Sequence, residues 1–197
     1  MGTDVQKPAE ERLYEPVKEY LSRRLTTYPS NYYHLEITAH GTFSEQLKRV
    51  VQDDIVFSFL KRDRPDLTGF ILRKNIDKNL ATSRHVRSLI TVEVKPDKVA
   101  LQDIYQASRY GDLFHAEYAL LISLEPLQEE IKRLHKQLSL LNRFQGLQVA
   151  RKRFKKGKPI RWRVDSWKVY FGQAFLMNSS DSRLEIQDII WFPQNPF

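Results

Sequence analysis

The spacing of apolar positions changes several times along the chain, and each change marks an element. Leu13, Val17, Leu21 and Leu25 recur every fourth residue, with Tyr14 and Tyr20 widening the stripe. That period predicts an amphipathic helix, with Pro16 in its first turns. YYHLEITAH (32–40) reads as a strand, SEQLKRVV (44–51) as a short helix and DIVFSFLK (54–61) as a second strand. RPDLTGFIL (64–72) opens on a proline breaker and continues as a short strand, whereas 73–88 is polar and basic with no period and reads as a loop. In ITVEVKPD (90–97), Ile90, Val92 and Val94 alternate with charged residues, which predicts a strand over 89–95. Pro96 stops the pairing, and Asp97 is expected to cap a helix over 98–110 that Gly111 closes. The unbroken apolar run EYALLISL (117–124) predicts a central strand covered on both faces. Pro126 opens a further helix whose stripe is Leu127, Ile131, Leu134, Leu138 and Leu141, with Gly146 after it. From 147 onward the pattern is one of strands and turns: LQVARKRF, PIRWRV, WKVYFGQAFL and RLEIQDIIWF.

This order predicts an α/β fold, a mixed central sheet flanked by helices and followed by a C-terminal basic β extension. A right-handed crossover through the 98–110 helix makes the strands at 89–95 and 117–124 parallel. The 197 residues suffice for a single domain over 1–197, divided into a core at 10–146 and a β-rich basic extension at 147–197.

Composition narrows the chemistry. The apolar fraction of 41% and the 12% aromatic residues are those of a folded globular chain. No apolar run is long enough to span a bilayer, and MGTDVQKPAEER has neither a secretory h-region nor a myristoylation pattern. The expectation is a soluble cytoplasmic protein that does not use a membrane. Without cysteine there is no thiolate catalysis, disulfide or cysteine-bound zinc. The five histidines lack HExxH spacing, and no GxxxxGK[ST] or GxGxxG motif is present.

The net charge of +8 points to a polyanionic partner. RKRFKKGKPIRWR (151–163) concentrates Arg151, Lys152, Arg153, Lys155, Lys156, Lys158, Arg161 and Arg163 with no acid among them. Such a run is either a solvated hairpin or a phosphate-contacting arm in which Phe154 and Trp162 can pack or stack.

Side chains alternate along a strand, so Glu93 and Lys95 share one face. The acid-x-Lys spacing alone says little. Glu130-Ile131-Lys132 repeats it on a predicted helix, where residues two apart do not face each other. Asp66 adds the needed context: it follows a proline turn at the start of a strand. If that strand neighbours 89–95, Asp66 and Glu93 can share a cation. Two carboxylates in a partly buried site repel unless a cation or proton relieves them, and a hard ion such as Mg²⁺ (or Mn²⁺) suits such oxygens. Lys95 on the same face could hold a phosphate oxygen or favour ionisation of a water.

Pro65-Asp66 followed by Glu93-Val94-Lys95 resembles the PD-(D/E)XK nuclease superfamily, which includes restriction endonucleases and Holliday-junction resolvases. The resemblance covers roughly residues 10–124. It implies a restriction-endonuclease-like fold and Mg²⁺-dependent hydrolysis of phosphodiester bonds, with DNA as the expected partner. It also implies that Asp66 and Glu93 bind the metal, that the Val94 carbonyl assists and that Lys95 serves the nucleophilic water. Many members carry a glutamate on the first helix. Glu10 is favoured over Glu11 and Glu15, because Leu13, Tyr14 and Val17 continue its inward face. DIYQASRYG (103–111) resembles the glutamine–tyrosine helix of several branches, putting Gln106 in the site, with Gln102 and Arg109 or Tyr110 able to share its face. Enzymes with one site per chain often cut two strands as a homodimer.

Alternatives remain open at this level. Asp53 or Asp54, at the start of 54–61, could replace Asp66. A catalytically inactive nucleic-acid-binding module would need the basic arm and not the carboxylates. Glu93 and Lys95 could also be a structural ion pair on a solvated edge strand, a reading that requires Asp66 to lie far from Glu93.

Overall fold

A computed structural model describes residues 9–26, 32–51, 64–73, 76–138, 142–143, 167–178, 183–192 and 195–196. The first helix, α1 (Glu11–Thr26), buries Leu13, Tyr14, Val17, Tyr20, Leu21 and Leu25, the predicted stripe, with Pro16 inside it. There follow β1 (Tyr33–Ile37) and α2 (Glu45–Val50), where the Ser44 hydroxyl accepts from the Leu47 N–H as N-cap. Next come β2 (Leu67–Leu72), two single turns of 3₁₀ helix at Lys78–Leu80 and Ser83–His85, and β3 (Val86–Lys95). The chain continues through α3 (Leu101–Leu113), β4 (Tyr118–Ser123), α4 (Glu129–Leu138), the two-residue β5 (Asn142–Arg143), β6 (Trp167–Asn178) and β7 (Leu184–Phe192). The expected strand at 54–61, the strands across 147–163 and Asp53 and Asp54 lie outside the described residues.

The seven described strands form one sheet in the order β1-β2-β3-β4-β6-β5, with β7 also paired to β6. β1, β2 and β3 are an antiparallel meander. β4 runs parallel to β3, as the crossover predicts, and β6 runs parallel to β4. α1 covers one face, packing on Leu35, Leu67, Ile90, Val92, Val94, Leu120 and Ile122. On the other face, α3 and the start of α4 pack Val99, Ile104, Ala107, Leu127 and Ile131 on Ala119, Leu121, Val169 and Phe171, while α2 sits over Phe70 and Leu72. Period-2 alternation thus sends β4's residues to two separate cores, which is why 117–124 is apolar throughout.

Four expectations need correction. The last helix, expected to run on to Gly146, is described over Glu129–Leu138, and Asn142–Arg143 is already strand β5. β6 and β7 continue the central sheet instead of forming an appended extension, because β6 takes the free edge of β4. The segment 73–88 is not all loop: its last residues, from Val86, already pair with β2. The helix after β3 runs over 101–113 instead of 98–110. Asp97 does not cap it; its carbonyl accepts from the Ser123 hydroxyl, and the Asp103 side chain accepts from the Ala100 N–H. At the far end the helix passes through Gly111. His115 takes the left-handed conformation (φ 48°), and the Ala116 and His115 N–H groups close back on Gly111 and Asp112. That Schellman arrangement needs one left-handed residue, and here it is not the glycine.

Gly69, in the middle of β2, is where β1 comes closest. A Cβ there would stand 2.4 Å from the His34 carbonyl oxygen and 2.8 Å from Leu35 Cδ1. Backbone cannot yield as a flexible side chain does, so Gly69→Ala should destabilise the fold by about 1–3 kcal/mol. Urea unfolding followed by circular dichroism will measure the loss.

Candidate metal centre

β2 begins at Leu67 because Pro65 has no N–H to offer a ladder. Leu67 pairs with Val92, so one step further along the same register Asp66 stands opposite Glu93. Past the end of the ladder the Asp66 carboxylate takes over, accepting from the Val94 N–H at 2.7 Å. Asp66 and Glu93 are 6% and 3% exposed. Glu10 comes from just ahead of α1 on the opposite side of the sheet. One carboxylate oxygen from each of Glu10, Asp66 and Glu93 lies within 4.8 Å of the other two. The site is therefore a rim structure, closed by strands on two sides and by a helix end on the third.

Lys95 joins the three acids. Its Nζ lies 2.9 Å from Glu93 Oε1 and 3.5 Å from Glu10 Oε1. Gln106, reaching down from α3, donates to the same Glu93 Oε1 at 2.9 Å and to the Tyr110 hydroxyl at 3.1 Å. Glu93 Oε2 is buried and has no hydrogen-bond partner among the described residues. An acceptor-only oxygen left this way is costly, and it is the natural seat of a cation. All the converging donors are hard carboxylate oxygens, so the set fits an ion of the Mg²⁺ or Mn²⁺ class better than a soft metal.

Electrostatics follow the same geometry. Burial pushes the Asp66 carboxyl up to about 6, against the Val94 N–H and the Tyr14 hydroxyl, which favour its charge. Burial and then the Asp66 charge push Glu93 up to about 8. For Lys95, burial opposes the charge, but the neighbouring Glu93 carboxylate, with Glu10 and Asp66, outweighs it and holds the ammonium above its ordinary value. Tyr14 is raised by burial and by the Asp66 and Glu10 charges, so it stays a protonated donor; its hydroxyl reaches Glu10 Oε1 at 3.3 Å.

The residues expected from the sequence are thus brought together in large part. Glu10, Asp66, Glu93, Lys95 and Gln106 converge. Glu15 does not: it is exposed and paired with Lys18. Gln102 is exposed, and the Arg109 guanidinium lies over the Tyr110 ring at 5.6 Å. Val94 contributes its N–H to Asp66. Glu93 and Lys95 do not sit on a solvated edge, since β3 lies between β2 and β4. The basic arm, with Arg151, Lys152, Arg153, Lys155, Lys156, Lys158, Arg161 and Arg163, lies outside the described residues. Tyr14 is the member that the sequence reading left in the core stripe. Its spacing of four from Glu10 was the available signal.

Both raised carboxyls bind protons more tightly in the folded chain than in the unfolded one, where they titrate near 4. The folded state therefore holds extra protons between about pH 4 and 8, and stability must fall as pH rises through that window. The melting temperature of the metal-free protein should drop by roughly 10–20 °C between pH 5 and pH 8. Mg²⁺ should restore more of it at pH 8 than at pH 5, and Glu93→Gln should flatten both responses. Differential scanning fluorimetry across a pH and Mg²⁺ grid reads all three.

No protein-family model, curated protein or solved structure matches this chain, so what it does must be read from Glu10, Asp66, Glu93 and Lys95 themselves.

Proposed function

We propose that the protein is a divalent-metal-dependent nuclease that hydrolyses phosphodiester bonds in DNA. The observation that carries this reading is the meeting of three carboxylates with one charged lysine at the end of a buried ladder. The order of elements supports it. A helix, an antiparallel three-strand meander, a helix and a parallel fourth strand are compatible with the restriction-endonuclease-like core that the Asp66 and Glu93-Val94-Lys95 resemblance implies.

Glu10, Asp66 and Glu93 would hold the ion, with Glu93 Oε2 already unengaged. A bound divalent cation would supply charge neutralisation for the phosphate as its leaving oxygen departs. Glu93 and Glu10 keep Lys95 in its ammonium form, so Lys95 serves as a fixed cation and not as a proton acceptor. It can bind a phosphate oxygen and lower the cost of ionising a water held beside it. Gln106 fixes the rotamer of Glu93 through Oε1, and Tyr14 orients Glu10. Burial by α1 and α3 removes bulk water from two sides, which strengthens each of these interactions.

Purified protein should nick or cut DNA with Mg²⁺ or Mn²⁺ and not with EDTA. Asp66→Ala, Glu93→Ala and Lys95→Ala should each lower the rate by at least about 10³-fold, and Gln106→Ala by about tenfold. Normal cleavage by Glu93→Ala would overturn the assignment. Salt-sensitive DNA binding without cleavage, across several divalent ions and DNA forms, would instead favour a binding module that keeps the fold and lacks the chemistry.

A further inference from the structure

Once its carboxylates are ionised, the centre carries two negative charges more than Lys95 can balance. A divalent cation brings the sum only to zero. A polyanionic strand lying across such a site needs further cations to hold it, and they must be placed where the strand runs.

One described cation is built into the same turn as Asp66. Thr38 to Gly41 form a turn at the exit of β1, closed by the Gly41 N–H donating to the Thr38 carbonyl at 2.9 Å. Gly41 has φ 77°, a left-handed conformation open to glycine at little cost. This turn is fastened to the segment entering β2. The Thr38 and Ala39 N–H groups both donate to the Asp66 carbonyl, at 2.7 and 3.0 Å, and the buried Thr38 hydroxyl donates to the Pro65 carbonyl at 2.7 Å. Arg64 completes the lock. Its Nε donates to the Ala39 carbonyl at 2.6 Å, and the Nη1 end of its guanidinium packs against Gly41, where an added Cβ would come within 2.5 Å of Nη1. The positive φ is what calls for glycine at 41.

Arg64 uses only Nε in this anchoring; Nη1 and Nη2 form no hydrogen bond or ion pair with any described residue. An arginine held by one edge, half-buried, and separated from Asp66 by a single proline presents a preoriented pair of donors on the turn that is fastened to the Asp66 backbone. Two parallel N–H groups match two oxygens of a phosphodiester, and little side-chain entropy remains to be lost on binding.

We propose that Arg64 is a substrate-positioning residue that grips a backbone phosphate next to the one being cleaved, so that the nucleic-acid strand runs over the Thr38–Gly41 turn. This rests on the nuclease reading above. The test separates a phosphate grip from a structural staple and from failure of that reading. Binding of a fluorescent DNA oligonucleotide is followed by anisotropy in Ca²⁺ over a range of salt, for the native chain, Arg64→Gln and Arg64→Lys. The Mg²⁺-induced rise in melting temperature is recorded for each. Arg64→Gln should weaken binding roughly tenfold and reduce the slope of log affinity against log salt by about 1, with Arg64→Lys intermediate. The Mg²⁺-induced rise should stay as in the native chain, since Asp66 keeps its contacts with the Thr38, Ala39 and Val94 N–H groups. Unchanged affinity and slope in Arg64→Gln would overturn the proposal. Weakened binding together with a lost Mg²⁺ response would overturn it too, marking Arg64 as a staple for Asp66. A native chain that neither binds nor cuts DNA would remove the nuclease reading itself.

Discussion

Asp66 and Glu93 are buried side by side on adjacent strands, and almost everything around them serves to make that tolerable. Two ionised carboxyls at this distance in a dry setting repel strongly, and each alone already resists losing its proton. The fold meets the repulsion with donors drawn from three separate elements. The Val94 N–H comes from β3 itself, Gln106 from α3, and Tyr14 from α1, while Lys95 supplies the one full positive charge. None of these suffices to leave both acids charged at neutral pH. The remaining deficit sits on Glu93 Oε2, which is buried and unengaged. A fold that needed only stability would have placed an apolar pair here, as it does one step along the same ladder with Leu67 and Val92.

Much of this was readable in the chain because it depends on local periods. The alternation that separates Val92 and Val94 from Glu93 and Lys95 is a property of any strand, and the structure sends the first pair to α1 and the second to the rim. The fourfold stripe of α1 carried Glu10 and Tyr14 to the same side for the same reason. Gln106 was put forward by the resemblance of DIYQASRYG to a glutamine–tyrosine helix and not by any period; its amide meets Glu93.

What the chain did not disclose depends on contacts distant in sequence. The left-handed residue that ends α3 is His115, at a position where glycine is the usual choice and which no local pattern marks. The place of β6 beside β4 follows from which sheet edge is vacant, and no local pattern records that. The union of Arg64 with Ala39 and Gly41 joins residues 23 to 25 positions apart through backbone atoms, whose donors and acceptors are the same at every residue and leave no trace in composition.

β3 also ties the acidic cluster to the folding code in a way that matters for descent. Its ten residues pair antiparallel on one edge and parallel on the other, and its two faces have opposite duties. Gain or loss of one residue inside 88–95 would exchange those faces, turning Glu93 and Lys95 into the α1 core and Val92 and Val94 out to the rim. The acidic cluster and the packing would be lost in one mutational event. The stretch just upstream, with its two single 3₁₀ turns at Lys78–Leu80 and Ser83–His85, bears no such double duty. Length variation among descendants of this chain should therefore collect ahead of β3 and be purged within it.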